Sequence, residues 1–577
     1  MSHSFMTIHP KAKLTFAFFV GCLLPASQSF AQEEYTEPEQ APAVTLNGSI
    51  QSDIMVAPQT DAAIGAFDDS YDNSSFLTNT FVDLQLQSKW IDAGGRFELK
   101  EWPMPGFNDM YNDFKGWGVP NLWAKFKTKV VDVTLGTFYE QFGSGFILRA
   151  YEERSLGVDN SILGARVAVR PFNGAQIKAI CGKQRAYWDW DTGLISGADA
   201  ELSLEELITK WSESNTHLTI GGSWINKRED PDETIMADVT HKLNLPEFVN
   251  AFDARVRFQK NDFAALAEYA QKSADPNTLN NFIYSKGTAA MLSLSYSHTG
   301  LSLLGQVKRS ENMGFRNKRN VPTLCSAYYI NHLPAFTLDH TYTLAALYPY
   351  VTQPEGEWAY QGAIGYNFKR KTALGGRYGT KLKLNYSLVK GLENNNIDGE
   401  PGTEGLKNSF FKNGDIYYQD LNLQIDKRFT KQFEGHFMYM YQQFNKTVLR
   451  GEGGNIYSNI FIGDGKWTIN DRFTLRAEAQ YLLTEHESGD WGCGLVELSV
   501  APYFMFSVSD QIGRTEPENG IYGEKAHYYN AAITFDYKAH RIMVGYGRTR
   551  AGYNCTGGVC RFVPASKGIT INYNYNF

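Results

Sequence analysis

Apolar and polar residues alternate one by one in the last segment of the chain, Pro564–Phe577. This period of two places the apolar side chains on one face of a β-strand and the polar side chains on the other. In a soluble sandwich the apolar face would pack on a core, whereas in a membrane barrel it would face lipid. The alternating residues are Ile569, Thr570, Ile571, Asn572, Tyr573, Asn574, Tyr575, Asn576 and Phe577.

The same alternation recurs about two dozen times along the chain. It begins at Leu46–Ile54, continues through segments such as Phe81–Gln87 and Phe263–Gln271, and reaches Tyr529–Tyr537 before the last strand. The sequence therefore predicts an all-β protein.

The connections between these strands alternate between short and long. Tight turns are expected at Phe172–Gly174, Asn261–Asp262, His298–Gly300 and Lys538–Ala539, and every second connection is expected to be tight. The connections between them are long, and the alternation keeps its phase from the first strand to the last. This predicts a transmembrane antiparallel β-barrel of about 24 strands, within about 22–26, with long surface loops and both termini periplasmic. The long connections are Ala57–Ser75, Pro103–Pro120, Asn226–Val249, Ser310–Glu357 and Val389–Asn413.

The N-terminal segment has the features of a secretory signal peptide. Lys11 and Lys13 precede the apolar run Leu14–Ala26, and Ser29–Ala31 supplies a small-x-small cleavage site. The predicted domains are a signal peptide at residues 1–31, a short acidic tail at 32–44, and a single barrel at 45–577. A lipoprotein signal ending at Cys22 is the alternative, although the residues after that cysteine stay apolar.

Composition agrees with a barrel. The chain has 43% hydrophobic and 14% aromatic residues, with a mean hydropathy of −0.36. Barrels combine these values because half of each strand is polar while aromatic residues form two girdles. The formal net charge of −7 argues against a nucleic-acid-binding protein. Outer-membrane lipid is therefore an expected partner, and nucleic acid is not.

A barrel of this width needs material to constrict its lumen, because barrels of about 22 strands are plugged. The first candidate is the aromatic-rich loop 310–357, which would fold inward as a plug or cover the mouth as a cap. The second is Gln141–Asn160, whose charged residues would form an ion-paired constriction or a salt-bridged surface loop. The charged candidates there are Arg149, Glu152, Glu153 and Arg154.

Several charged residues fall on the polar face of predicted strands and are candidates for the lining of the lumen. Facing rows of charge orient solutes in porins, and rings of charge set ion selectivity. The alternative is that these charges line the water-filled lumen without any such tuning. The candidates are Arg96, Glu98, Lys125, Lys127, Arg255 and Arg257.

The cysteines and the possible catalytic residues predict little chemistry. Cys555 and Cys560 bracket four residues in a surface loop, and they would form a disulfide in an oxidising compartment or remain free thiols. Zinc would need more ligands at suitable spacing, and none accompany this pair. We expect no catalytic residue, no metal and no cofactor, and therefore no enzyme.

Three further blocks of sequence are informative: Phe138–Val167 (FYEQFGSGFILRAYEERSLGVDNSILGARV), Leu333–Glu357 (LPAFTLDHTYTLAALYPYVTQPEGE) and Asn554–Pro564 (NCTGGVCRFVP). Together they resemble an uncharacterised, porin-like outer-membrane β-barrel family of Bacteroidota. In addition, Phe577 resembles the terminal aromatic residue of bacterial outer-membrane barrels, which the insertion machinery reads. The resemblance implies a location in the cell outer membrane and provides no catalytic or ligand-binding residues.

Two functions are compatible with these features. The first is an outer-membrane channel or transporter that passes solutes through a loop-constricted lumen. The second is a structural or assembly component of an envelope or export machine that docks periplasmic or surface proteins. Long loops fit both functions, and conductance measurements would separate them.

Overall fold

Antiparallel pairing runs without a break around a closed ring of 24 strands, β1 to β24. Consecutive strands pair with each other, and β1 also pairs with β24 through Ser49 to Val56 and Asn576 to Ile569. The computed structural model describes residues 44–57, 76–109, 112–232, 234–322, 327–395, 397–514, 523, 525–556 and 559–577. The predicted all-β antiparallel barrel of about 24 strands is confirmed.

The first twelve strands are β1 (Val44–Val56), β2 (Phe76–Ser88), β3 (Ile91–Lys100), β4 (Gly116–Lys127), β5 (Val131–Phe138), β6 (Ile162–Val169), β7 (Ala175–Ala186), β8 (Asp189–Ser203), β9 (Thr216–Arg228), β10 (Phe248–Lys260), β11 (Phe263–Lys272) and β12 (Gly287–His298). The other twelve are β13 (Leu301–Glu311), β14 (Gly356–Phe368), β15 (Thr380–Leu392), β16 (Asn413–Arg428), β17 (Phe433–Asn445), β18 (Asn455–Thr468), β19 (Phe473–Leu483), β20 (Trp491–Val500), β21 (Phe504–Arg514), β22 (Lys525–Tyr537), β23 (His540–Thr549) and β24 (Ser566–Asn576).

Helices are few and short. The α-helices are α1 (Thr209–Glu213) and α2 (Lys446–Arg450), and single 3-10 turns lie at Arg154–Leu156, Leu204–Glu206 and Thr278–Asn280. Among the described residues, no helix is long and apolar enough to cross a membrane. Four short hairpins lie in the loops: Asn108–Asp109 with Asn112–Asp113, Gln141–Phe142 with Leu148–Arg149, Glu152–Glu153 with Val158–Asp159, and Gly552–Thr556 with Val559–Val563.

Short turns lie at one end of the barrel and most long loops at the other. We call these the short-turn end and the long-loop end. Two connections at the short-turn end are not tight, contrary to the expectation that every second connection is: residues 204–215, which contain α1, and residues 369–379. Conversely, β7 and β8 at the long-loop end are joined by Tyr187 and Trp188 alone. Tyr187 makes this tight turn with a φ of 56°.

Each strand has an exposed apolar face and a more buried polar face. In β5, for example, Leu135 is 58% exposed while the adjacent Thr134 is 6% exposed. The polar face points inward, because Glu98 in β3 bonds Arg185 in β7 at 3.0 Å although these strands are not neighbours. Side chains of separated strands meet only inside a ring, so the barrel is polar inside and apolar outside.

The seam between the first and last strands is closed by main-chain hydrogen bonds and by one aromatic ring. Gly48 and Phe577 exchange two backbone hydrogen bonds of 2.9 Å each. The Phe577 ring covers the face of Gly48 so closely that a Cβ atom there would lie 2.3 Å from ring carbon Cζ. Glycine is therefore the residue that fits beside this ring.

We expect Gly48→Leu to weaken the seam by displacing the Phe577 ring, at a cost of about 1–3 kcal/mol for an overpacked contact. Gly494→Leu is the matched control, because nothing lies within 4 Å of a Cβ atom at this outward-facing strand glycine. The measurement is the free energy of unfolding in urea in detergent micelles. Equal losses in the two variants would contradict the role assigned to Phe577.

Candidate functional site

The candidate site is the barrel interior, where the strands and two loops bring charged side chains together. The strand register places all six charged residues selected from the sequence on the inward face. Arg96, Glu98 and Arg255 are buried at 8%, 1% and 4% exposure. Lys125 and Lys127 are half-buried, and Arg257 is exposed near the short-turn end. In the strand register Asp83 lies opposite Arg96, Asp92 opposite Lys125, and Glu268 opposite Arg255. Residues that lie opposite each other on paired strands face the same side of the sheet.

Loop 139–161, between β5 and β6, packs an apolar tip against the inner wall. Phe142, Phe146 and Ile147 are fully buried in a cluster with inward-facing strand residues. Where the loop tip contacts the inner wall, the inward-facing side chains of the strands are apolar instead of polar. These strands therefore depart from the alternation of apolar and polar residues at the positions that pack against the tip. The strand residues of this cluster include Ile180, Ile195, Ile225, Val249, Ala251, Ala270 and Ala289.

Ion pairs attach the other half of the same loop to the wall. Glu152 accepts two hydrogen bonds from Arg96, at 2.5 and 2.9 Å, and a third from Arg154 at 2.9 Å. Arg154 also donates to Asp83 at 2.8 Å. Next to this cluster, Arg185 joins Glu98 of β3 to Asp159 of the loop.

Two of the four charged residues predicted for a constriction belong to this network, Glu152 and Arg154. The other two have different contacts. The guanidinium of Arg149 lies 4.4 Å from the ring centroid of Tyr151, and Glu153 accepts hydrogen bonds from the backbone and hydroxyl of Ser155.

The turn at Gly143 and Ser144 is held by the buried carboxylate of Glu268, with the carboxylate of Asp253 beside it. Ser144 donates to Glu268 through its amide at 3.0 Å and through its hydroxyl at 2.6 Å. Gly143 has a φ of +53°, and a Cβ atom there would lie 2.5 Å from a Glu268 oxygen and 2.6 Å from an Asp253 oxygen. Glycine is therefore required by both conformation and space. Sequence reasoning missed this contact, because residues 124 positions apart carry no local signal.

Loop 312–355, between β13 and β14, contacts the wall and loop 139–161 together in its first half. Lys227 of β9 donates to the Arg316 carbonyl at 3.0 Å. The backbone amide of Arg149 donates to the Ile330 carbonyl at 2.8 Å. Asn331 donates to the Phe146 carbonyl at 2.7 Å. The sequence placed this loop at 310–357, and the structure assigns the two residues at each edge of that range to strands.

A buried histidine joins the two loops. His332 packs edge-on against the Tyr151 ring at a centroid distance of 4.8 Å, and its Nε2 lies 3.4 Å from the Asn160 side-chain amide. Burial, and to a smaller extent the nearby charge of Arg149, lower the pKa of His332 to about 3. The imidazole is therefore neutral at pH 7.

The second half of loop 312–355 reaches the opposite wall. Leu344 is fully buried in a cluster with inward residues of β17 to β20, such as Met440 and Trp491. The Tyr342 hydroxyl donates to Asp464 at 3.2 Å, and the Tyr342 ring stacks on His436 at 5.5 Å. His436 and Asp464 lie opposite each other near the short-turn end of β17 and β18. The loop therefore contacts the inner wall well beyond the middle of these strands.

Other predicted features lie partly outside the described residues. The predicted signal peptide and the acidic tail up to Ala43 fall there, as do Cys22 and Cys325. Cys555 and Cys560 stand opposite each other in the backbone register of their hairpin, but their side chains are outside the described part. Cys181 and Cys493 are free. Within the described ranges, no group of three or more His, Cys, Asp or Glu residues is arranged to hold a metal ion.

Together these features define the class of the protein: a wide, closed β-barrel with a polar interior that is contacted by two of its own loops. The chain belongs to DUF6029, a family of unknown function, whose model matches residues 11–577. No curated protein sequence matches it.

Solved structures with a similar overall form are barrels. The siderophore receptor PirA from Pseudomonas aeruginosa is 8% identical, with 93% of this chain and 81% of that chain covered and a TM-score of 0.41. The copper transporter OprC is 9% identical, with 94% and 81% covered and a TM-score of 0.38. OccAB3 from Acinetobacter baumannii is 9% identical, with 92% and 99% covered and a TM-score of 0.33. These values are too low to transfer any residue's role.

We expect Glu152→Gln to loosen loop 139–161, because it removes the charge that neutralises Arg96 and Arg154. A charge-assisted hydrogen bond of this kind contributes about 2 kcal/mol. Hydrogen exchange in the loop should rise, with the rest of the barrel unchanged. Glu153→Gln is the matched control, since Glu153 caps only Ser155. Unchanged protection in Glu152→Gln would contradict the anchoring role.

We expect acid to loosen the junction between the two loops through His332. Its folded pKa of about 3 lies below the unfolded value, so the stabilisation is present above about pH 6.5 and is lost as the pH falls toward 3. Going from pH 7 to pH 5 should cost about 2 kcal/mol. Hydrogen exchange at residues 327–335, corrected for intrinsic rates, should rise in the native protein. The increase should be absent in His332→Phe, which keeps an aromatic ring but does not titrate.

Proposed function

We propose that the protein is an outer-membrane channel or transporter that passes solutes through a loop-constricted lumen. The observation that carries this proposal is the inverted distribution of polarity around the ring. Apolar side chains such as Leu135, Phe252 and Val508 are exposed on the outside, while charged residues are buried inside. An apolar outer surface of this kind is unfavourable in water and favourable in lipid. In addition, a closed barrel leaves no unpaired strand edge in the bilayer.

Loops 139–161 and 312–355 would form the constriction. Between them they contact inward side chains on opposite walls, from β3 in the ion network to β20 in the Leu344 cluster. Many of these contacts are hydrogen bonds and ion pairs, which water can replace at a modest net cost when a segment moves. The loops can therefore rearrange while the backbone ring stays closed.

In this arrangement the outer membrane is the location, and its lipid is the direct partner. The short-turn end would face the periplasm, as in other outer-membrane barrels, and both chain termini would then be periplasmic. A Bacteroidota origin, which the sequence resemblance implies, and the absence of enzymatic activity remain part of the proposal.

A docking role is the second candidate, and one surface favours it. Loop 393–412 presents Phe410 and Phe411 at 47% and 85% exposure at the long-loop end. Exposed aromatic pairs of this kind are common in protein interfaces. A structural or assembly component of an envelope or export machine would use such a surface to bind another envelope protein.

Conductance in planar bilayers tests the transport function. We expect the current through the purified protein to increase when residues 338–348 are replaced by a short Gly-Ser linker, because Tyr342 and Leu344 then no longer contact the wall. The matched control shortens residues 399–406 of loop 393–412. The segment contacts the neighbouring loop 273–286, for example through Asn281, which donates to the Gly399 carbonyl at 2.9 Å, and loop 393–412 also contacts the outward-facing Glu311 through Asn408 at 3.0 Å. These contacts lie at the rim rather than on the inner wall, so the current should stay unchanged.

A silent protein in both variants that co-purifies stoichiometrically with another envelope protein would contradict transport. Loss of that partner after Phe411→Ser would then support the docking role. Heat-modifiable migration on gels verifies that each variant still forms the barrel.

A further inference from the structure

We propose that the short-turn end of the barrel beside β14–β19 binds solutes that carry several carboxylate or phosphate groups. This inference rests on the proposed transport function and names the class of solute. A cavity of about 910 Å³ lies there, and we call it the vestibule. Its lysines and arginines are Lys369, Arg370, Lys381, Lys427, Arg428, Lys466 and Arg476.

The acidic residues of the vestibule are already paired. Asp464 accepts a hydrogen bond from Arg476 at 2.9 Å, and Glu434 lies 3.7 Å from Lys466. Asp426 lies 2.6 Å from His436 and 3.8 Å from Lys383. Arg476 also bonds Glu478 and Glu497, so the carboxylates are only partly neutralised. The lining nevertheless contains seven lysines and arginines against these three carboxylates.

Several basic residues have no such partner. Lys369, Arg370 and Lys381 are exposed to the vestibule and form no ion pair with any described carboxylate. Arg428 donates its hydrogen bonds to the carbonyls of Thr430 and Lys431, which leave its charge uncompensated. The vestibule is therefore positive although the whole chain has a net charge of −7.

This arrangement favours anions for two physical reasons. A water-filled cleft with low-dielectric walls focuses the field of its charges and concentrates counter-ions. Arginine and lysine are also the side chains that select anions in pores, and arginine binds carboxylate or phosphate with two parallel hydrogen bonds. Because several cations without carboxylate partners line one cavity, it suits a ligand with several negative groups rather than one.

The vestibule adjoins loop 312–355. Its lining residues His436 and Asp464 are the residues that contact Tyr342, through ring stacking at 5.5 Å and a hydrogen bond of 3.2 Å. An anion in the vestibule therefore lies next to the segment that we propose constricts the lumen. The vestibule is therefore placed to bind a solute beside the constriction before the solute passes through the lumen.

Calorimetry on the purified, detergent-solubilised barrel tests the inference, with citrate and pyrophosphate as probes and maltose and spermidine as controls. We expect the two anions to bind and the controls not to bind. The double substitution Arg370→Glu and Lys381→Glu should weaken anion binding by at least about tenfold, equivalent to about 1.4 kcal/mol. The matched control, Lys538→Glu, lies in the β22–β23 turn at the same end but away from the vestibule, and should bind as the native protein does.

Failure of both anions to bind, or equal binding by the native protein and the double variant, would overturn the inference. Binding of a short Glu-rich peptide but of neither small anion would also overturn it, in favour of a protein-docking surface. Anion binding by a barrel that never conducts would contradict transport while supporting the anion site. If the barrel conducts but reversal-potential measurements show no preference for anions, the anion-binding proposal is contradicted while the transport function is still supported.

Discussion

A ring of 24 strands encloses more space than the strand side chains can fill, and the rest of the structure depends on this constraint. Because the outer face is apolar, the polar residues point inward, where they need partners. Loops 139–161 and 312–355 supply some of these partners, such as Glu152 for Arg96 and Tyr342 for Asp464. Other buried charges, such as Glu98, pair with residues of the strands, so the inner wall carries ion networks rather than isolated charges. A closed barrel of this width therefore depends on its loops to occupy part of the interior.

The barrel could be predicted from the sequence because its signals are local. Alternation in segments such as Pro564–Phe577 fixes each strand, and the phase of the turns fixes the order. The expectation that every second connection is tight was wrong at residues 204–215 and 369–379. Within residues 369–379, Thr372 and Gly376 form an isolated antiparallel β-bridge, so this connection contains local structure in place of a two- or three-residue turn.

The interior was less predictable because its contacts join distant parts of the chain. The sequence selected Glu152 and Arg154 as charged loop residues, but it did not contain the information that they pair with Arg96 and Asp83. The carboxylates of Glu268 and Asp253 beside Gly143 were missed for the same reason. Glycines and buried charges inside a loop indicate that a tight contact exists, while only the fold identifies the partner.

The seam between β1 and β24 has a consequence for the kinetics of assembly. Its side-chain hydrogen bond from Asn572 to Asp53 joins residues 519 positions apart. Contacts of such high sequence separation are slow to form, since the entropy of closing the intervening chain is lost before the contact is gained. Until then, a growing sheet carries two free edges that invite pairing with other chains. The sheet therefore remains open to pairing with other chains until this last contact forms, so it needs protection by an assembly factor or a membrane throughout that time.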